Sequence, residues 1–469
     1  MVMGHEYTDV EKPFIDQCVA MGWQPQTGTK DDPSLTGRAS FKEVISEATL
    51  RERLRAINPG PDGQPWLDDA RLSEAVSALT RHGQRGLMEA NQAVTHLLLK
   101  GLTVEGLPGW DGGRGQTIRY IAWDDVAANS FTVANQFRVD CPPGHDVGKG
   151  FIIPDLVLLV NGIPLIVVEA KSPGIPKPLA EAVKQLRRYH NARKAALEVE
   201  ENEGAPALFS SVQLLIATSF DEARVGCIGA GLEHYGQWKT VVGPDGTGSE
   251  DGIANALGKK GLSEQERLVA GMLRPAHLLD ILRHFLLFMN VGDQTIKTVC
   301  RYQQYRAVNR ALERLRTGKT RVQDGEYDRR GGIVWHTQGS GKSLTMVFMI
   351  RKMRTDTGLR KFKLIMVTDR RDLQRQLSET ANLSGDVVEL ATSAGSLKRL
   401  AKRKGPGLIF ATIQKYRTDE DVAEVTKGPA FEVLNEDETI LVVVDEAHRT
   451  QAGDLHANLL AALPNCARI

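Results

Sequence analysis

Two groups of residues in this chain have the types and spacing that phosphate chemistry requires. Pro154-Asp155 is followed by Glu169-Ala170-Lys171. Asp155 and Glu169 offer the hard oxygen ligands that Mg²⁺ prefers, and such an ion assists phosphodiester hydrolysis. Lys171, two residues past Glu169, shares its face of an extended strand. There it can help to generate the attacking hydroxide or stabilise the charge that develops on the phosphate, and the carbonyl of Ala170 is a further candidate ligand. The second group is His336-Thr337-Gln338-Gly339-Ser340-Gly341-Lys342-Ser343, followed later by Asp445-Glu446-Ala447-His448. Gly339 and Gly341 let backbone N–H groups of the Thr337–Gly341 loop approach a nucleotide's phosphates. Lys342 reaches the β/γ-phosphates and Ser343 holds Mg²⁺. The start of the following helix adds partial positive charge. Asp445 is then the second Mg²⁺ ligand and Glu446 the group that orients attacking water. The loop departs from the usual pattern at its first position, where His336 replaces glycine.

These residues need elements to hold them. An apolar run, Ile166 to Val168, predicts a strand ending at Glu169. A helix rich in Ala, Leu, Lys, Arg and Glu is expected over 180–199, followed by a buried strand over 212–218. The first hundred or so residues read as helices and loops. A simple Asn161-Gly162 turn would pair Val160 with Ile163 and so put Asp155 opposite Val168, on the wrong face for Glu169. A shared metal therefore predicts an irregularity: a three-residue turn, a bulge, or a bend at Pro154. Residues 229–261 lack periodicity and read as a long loop, with helical segments over 263–290. From Ile333 onward, strands at 333–335, 364–368, 408–412 and 440–444 alternate with helical stretches. That pattern predicts a parallel sheet covered by helices.

The motifs carry specific resemblances. Pro154-Asp155 with Glu169-x-Lys171 resembles the PD-(D/E)xK nucleases, and Gln185-x-x-x-Tyr189 on the following helix is similar to an element of their RecB-like branch. Glu11, with Phe14, resembles the extra N-terminal acidic residue of that branch. Asp-Glu-Ala-His after an apolar strand resembles the Walker B box of superfamily 2 helicases and translocases. Val367-Thr368-Asp369-Arg370 and Ile409-Phe-Ala-Thr412-Ile-Gln414 resemble their next motifs, which implies DNA-backbone contacts for Thr368, Arg370, Thr412 and Gln414. Gln304 resembles the upstream glutamine that reads adenine.

Taken together, a RecB-like nuclease followed by a RecA-like motor lobe resembles the restriction (motor and nuclease) subunit of type I restriction-modification enzymes, N-terminal portion. The fold expected is α/β: a nuclease domain over 1–228, a boundary loop and helices over 229–295, and a first RecA-like lobe over 296–469. The resemblance implies ATP and Mg²⁺ as cofactors. It implies double-stranded DNA and the methyltransferase and specificity subunits as partners, with ATP-driven duplex translocation and cleavage as the activity. It also implies a bacterial or archaeal cytoplasm. Type I motors use two lobes, and the second has no counterpart before Ile469, so the expectation is a truncated motor with little ATP turnover by itself. Two rivals from other classes are a stand-alone helicase-nuclease of DNA repair or phage defence, and a nuclease-dead scaffold with only a DNA-stimulated motor.

Composition narrows the field without deciding it. The hydrophobic share is 41% and the charged share 25%, which is globular and excludes a disordered or collagenous chain. The most apolar stretch, 151–168, is broken by Pro154, Asp155, Asn161, Gly162 and Pro164, so no membrane span is expected, since one needs ~20 apolar residues. The five cysteines are scattered and form no zinc or disulfide pattern. With 59 Lys+Arg against 58 Asp+Glu the net charge is only +1, so any grip on DNA is local rather than by bulk charge.

Overall fold

The computed structural model describes residues 6–82, 85–145, 150–192, 203–337, 340–368, 388–412, 433–445 and 461–469. The chain forms two compact units, Met1–Gly243 with Thr247–Tyr302, and Pro244–Gly246 with Gln303–Ile469.

The first unit is built on a six-stranded mixed sheet. Its strands are β1 (Gln24–Thr27), β2 (Phe131–Asn135), β3 (Leu156–Val160), β4 (Ile163–Ala170), β5 (Leu214–Thr218) and β6 (Ala223–Gly226), adjacent in that order. β1 runs parallel to β2 and β4 parallel to β5, and the remaining neighbours are antiparallel. All eight residues of β4 are buried, which explains its near-continuous apolar sequence in a strand covered on both faces. Helix α2 (Pro178–Tyr189) makes the β4-to-β5 crossover. Leu179, Ala182, Val183 and Leu186, at helical spacing, pack with Val157, Leu159, Val167, Leu215 and Ala217 in one core. The expected helix 180–199 thus ends at Tyr189, and residues 193–202 lie outside the described residues.

The expected boundary segment 229–295 does not stand apart. Helices α3 (Glu264–Met272) and α4 (Pro275–His284) belong to the first unit. Helix α1 (Lys12–Ala20) and the turn after it hold α3 through Gln17 Nε2 to the Glu266 carbonyl (2.9 Å) and Trp23 Nε1 to the Leu273 carbonyl (2.8 Å). Gln265 Nε2 in turn donates to the Val10 carbonyl at 3.0 Å. The helical reading to residue 290 also overshoots. After His284 the chain forms a hairpin, β7 (Leu286–Val291) and β8 (Gln294–Val299), closed at Gly292-Asp293. Thr295, Ile296, Thr298 and Val299 are β-branched and were the signal for it. Lys297 anchors this hairpin: its buried ammonium donates to Asn91 Oδ1 (2.7 Å) and Gln213 Oε1 (2.6 Å), and burial pushes its pKa down to about 7.

The second unit carries an all-parallel sheet. Its strands are β9 (Lys363–Thr368), β10 (Val388–Ala391), β11 (Gly407–Thr412), β12 (Ile440–Val444) and β13 (Ala467–Arg468), in the spatial order β10-β11-β9-β12-β13. The α/β expectation holds here, with one correction. Residues 333–335, expected as the strand leading to the phosphate loop, form no strand, and Ile333 and Trp335 are 93% and 87% exposed. The physical reason is the shortness of the edge strand beside it. The neighbouring β13 is two residues long and offers this segment one hydrogen bond, from Gly332 N–H to the Arg468 carbonyl at 2.8 Å. Helices α5 (Tyr302–Thr317) and α6 (Lys342–Thr355) flank the loop in sequence. Among the described residues, no helix is long and apolar enough to cross a membrane.

Candidate metal centre and phosphate loop

The hairpin β3–β4 brings the first group together, and it does so by the irregularity that shared ligation demands. The turn is the two-residue one, with Asn161 and Gly162 both in left-handed backbone (φ 53° and 79°), pairing Val160 with Ile163. Gly162 is required twice over, because a Cβ there would stand 2.5 Å from the Ser46 carbonyl oxygen. The register then shifts: Leu159 pairs with Pro164 but Leu158 with Ile166, so one residue is bulged out of β4. Beyond the bulge Leu156 pairs with Val168, which brings Asp155 level with Glu169 on the face covered by α2.

Asp155 Oδ2 accepts from the Ala170 N–H at 2.7 Å. Lys171 Nζ donates to Glu169 Oε1 (2.5 Å) and to the Ala170 carbonyl (2.8 Å), while its own N–H continues the pairing with β5 through the Thr218 carbonyl. Glu169 is fully buried, and its carboxyl lies within hydrogen-bonding reach of the Asp155 carboxyl, so the two can share a proton. Burial and the neighbouring Asp155 carboxylate push the Glu169 pKa well up. Burial raises Asp155 to about 6, against the opposing pull of Lys171 and the Ala170 N–H. Burial works against the Lys171 ammonium, but Glu169 and Asp155 outweigh it and hold its pKa above the ordinary lysine value.

Gln185 and Tyr189 lie one turn apart on α2, as expected. Gln185 Nε2 donates to the Tyr189 hydroxyl (2.6 Å), which donates to the Ile153 carbonyl (3.3 Å). Tyr189 is buried, so here the pair holds the chain just before Asp155 rather than facing outward. Glu11 is buried too, in a five-residue π-helical turn, Tyr7–Glu11, that leads into α1. Its pKa rises to about 8, first through burial and then through the charges of Asp155 and Glu6. Glu6 is the residue that sequence reasoning missed: oxygens of Glu6, Glu11 and Asp155 lie within 4.8 Å of one another. Five-residue spacing is off-register for an α-helix, so no periodicity signals it, whereas the i→i+5 geometry of a π-turn brings the two glutamates together.

The phosphate loop is placed by different means. Gly341 ends it in left-handed backbone (φ 82°) and caps α6, and a Cβ at Gly341 would lie 2.6 Å from Gln304 Nε2. Gln304 is buried on α5 and donates to the Gly341 carbonyl at 2.9 Å, so its amide is turned to the loop backbone. Ser340 closes the loop on itself, its N–H and hydroxyl both reaching the Thr337 carbonyl (3.2 and 2.6 Å). Lys342 and Ser343 open the first turn of α6. His336, in place of the first glycine, sits beside Thr345, and burial followed by the Lys342 charge lowers its pKa. Asp445 is buried at the tip of β12, where its N–H donates to the Val367 carbonyl at 2.9 Å. Thr368 and Thr412 are aligned at the ends of β9 and β11. Gly339, Arg370, Gln414 and Glu446 lie outside the described residues.

A mixed α/β unit bearing a carboxylate–lysine centre, followed by a parallel-sheet unit with a phosphate loop, defines a class, and comparison with known proteins agrees. Residues 303–469 match the SWI2/SNF2 ATPase family, and residues 6–232 match the family described as type I restriction enzyme R protein N terminus. The chain is 30% identical, over 95% of its length, to the type I restriction enzyme HindI endonuclease subunit of Haemophilus influenzae. It is 28% identical over 97% of its length to the putative MjaIXP endonuclease subunit of Methanocaldococcus jannaschii. A Staphylococcus saprophyticus relative, the type I SsaAORF53P endonuclease subunit, is 27% identical over 70% of this chain. Residues 6–232 are therefore similar to the N-terminal portion of the restriction subunit of type I enzymes. The chain spans 39%, 41% and 30% of the length of these three relatives.

Proposed function

We propose that this chain carries the endonuclease centre and the first motor lobe of a type I restriction enzyme, a site-specific deoxyribonuclease that translocates duplex DNA with ATP and cuts it with Mg²⁺. One observation carries the nuclease reading: the bulge that sets Asp155 level with Glu169 and Lys171 on one buried face. An ordinary hairpin has no need of it. The arrangement supports a PD-(D/E)xK fold for residues 1–228. Asp155, Glu169 and the Ala170 carbonyl fit a divalent cation, because the two carboxyls are buried against each other and an ion between them offsets the cost of burying and juxtaposing like charges. When bound, Mg²⁺ supplies Lewis-acid polarisation of the scissile phosphate and activation of water. Lys171, held as an ammonium between Glu169 and Ala170, places positive charge where the phosphate gains negative charge. Gln185 and Tyr189 keep the Ile153–Asp155 segment in position.

In the motor lobe, backbone N–H groups of 337–341 cradle the phosphates of ATP and Lys342 neutralises them. Ser343 and Asp445 hold the nucleotide's Mg²⁺, and Glu446 orients water. Gln304 acts on this loop through its backbone, whether or not it also meets adenine. Thr368, Arg370, Thr412 and Gln414 are the proposed contacts to the DNA backbone. Partners are double-stranded DNA and the methyltransferase and specificity subunits, the latter reading the target sequence. The test is a pair of variants in the assembled restriction complex. Asp155→Asn or Lys171→Ala abolishes cutting and preserves DNA-stimulated ATP hydrolysis, and Lys342→Ala abolishes ATP hydrolysis. Cutting that survives both nuclease-site changes overturns the reading.

A further inference from the structure

The entry to the phosphate loop has little sheet support. Residues 333–335 form no strand, and Gly332 makes one backbone bond, to Arg468. Residues 332–335 and Thr337 are exposed, and within this stretch His336 is the residue turned inward. Its backbone is not left-handed, so the local conformation does not demand the first glycine of the G-x-x-x-x-G-K-[ST] pattern. The histidine side chain at this position therefore has room to serve a different purpose.

The imidazole reaches two helices. It donates to the Gln303 backbone carbonyl at the start of α5, and its Nδ1 lies 3.5 Å from Thr345 Oγ1 on α6. The same two helices hold the far end of the loop. Gln304, next to Gln303, donates from Nε2 to the Gly341 carbonyl at 2.9 Å. Thr345 reaches that carbonyl with its hydroxyl (3.3 Å) and its N–H (3.1 Å). These contacts close a belt: His336 to α5, α5 to Gly341, Gly341 to Thr345, and Thr345 back to His336. Inside it, Ser340 fastens the loop across its base through the Thr337 carbonyl. Burial and then the Lys342 charge lower the His336 pKa, so the imidazole serves as a hydrogen-bonding group and leaves the cationic role to Lys342. A glycine at 336 would leave the belt open on both sides.

We propose that His336 is a positioning residue of the nucleotide site: it ties the entry of the phosphate loop to its exit through α5 and α6, and so presets the loop for a triphosphate. This rests on the reading of the loop as ATP-binding. Backbone N–H groups that are held in place beforehand bind phosphate without paying the cost of ordering at the moment of binding. His336, Gln304 and Thr345 act as one unit, because each closes a different side of the same belt.

The test is calorimetric binding of Mg²⁺–ATP and of Mg²⁺–tripolyphosphate, which lacks base and sugar, to the full chain. His336→Ala is expected to weaken both ligands about tenfold, the loss of one or two modest hydrogen bonds, with circular dichroism and the thermal midpoint retained. His336→Gln keeps an N–H donor and is expected to stay within about threefold of the parent. Thr345→Val weakens binding in the parent and adds nothing in the His336→Ala background, the non-additivity of a shared network. Equal losses in His336→Gln and His336→Ala overturn the hydrogen-bonded role. Losses from His336→Ala and Thr345→Val that multiply overturn the belt, and a loss seen with ATP but not with tripolyphosphate overturns positioning of the phosphate loop. Lys342→Ala separates the two levels: if it abolishes binding while His336→Ala leaves it unchanged, the belt fails and the phosphate-loop reading stands. ATP binding that survives Lys342→Ala overturns the phosphate-loop reading itself.

Discussion

In the first compact unit the functional groups are side chains sunk into a sheet: Glu169 is fully buried in an eight-residue strand with no exposed position. In the second they are mainly a backbone loop between a segment without secondary structure and the first turn of a helix. The contrast follows from the ligand each can hold. A small cation is recognised by oxygens in fixed positions, and burial makes them rigid while raising their pKa values. A triphosphate is long and anionic, and backbone N–H groups near a helix start suit it without buried charge. The lesson is that the first site stores electrostatic stress in the fold, whereas the second stores conformational demand in glycine.

Substitutions in each unit separate the two kinds of site. The largest effect is expected at Lys171→Ala, which lowers DNA cleavage by roughly 10²–10⁴-fold in the assembled enzyme with ATP turnover unchanged; parallel loss of both activities would tie the two sites together. Next, Lys342→Ala lowers ATP hydrolysis about 10²–10³-fold, while Mn²⁺ binding at Asp155 stays as in the parent. Backbone demand is tested in the first unit by Gly162→Ala. Left-handed backbone and the Ser46 carbonyl should together cost about 1–3 kcal/mol in denaturant unfolding, and an unchanged midpoint would mean the turn relaxes freely.

Stored electrostatic stress predicts a pH dependence with a definite sign. Glu11, Asp155 and Glu169 have folded pKa values above their unfolded ones, so the folded state binds more protons. Their contribution is fully present below about pH 4 and is lost as pH rises through about 6 for Asp155 and about 8 for Glu11. The metal-free first unit should therefore melt a few degrees lower at pH 8 than at pH 5.5. Mg²⁺ should restore the difference, and Asp155→Asn should flatten it. A melting temperature that rises over this interval in the parent contradicts the arrangement. The smallest effect is Gln304→Ala, about 1 kcal/mol in the second unit from the lost bond to the Gly341 carbonyl, read by nucleotide affinity as well as by unfolding.

How far the sequence reached can be judged residue by residue. Parallel strands at 363–368, 407–412 and 440–444 were legible because buried parallel strands read as apolar runs. The failed strand at 333–335 carries the same signal, and its composition cannot report whether a neighbouring edge exists. Lys297 was invisible because its partners, Asn91 and Gln213, are remote in sequence. Glu6 was missed because a π-turn has no sequence period.

By itself, the sequence determined which residue types could do chemistry: Asp155, Glu169, Lys171 and the 336–343 loop are recognisable because metal and phosphate chemistry restrict the choice of side chain. It even implied an irregularity in the hairpin, a three-residue turn, a bulge or a bend at Pro154, since strand alternation made a regular hairpin incompatible with a shared metal. Only the tertiary structure decided that the irregularity is a bulge and where it falls, that Tyr189 supports the chain before Asp155, that residues 229–243 and 247–302 belong to the first unit, and that Glu6 and Glu11 converge on Asp155. These depend on contacts between residues far apart in the chain, and local propensity carries no information about which distant partner will be there.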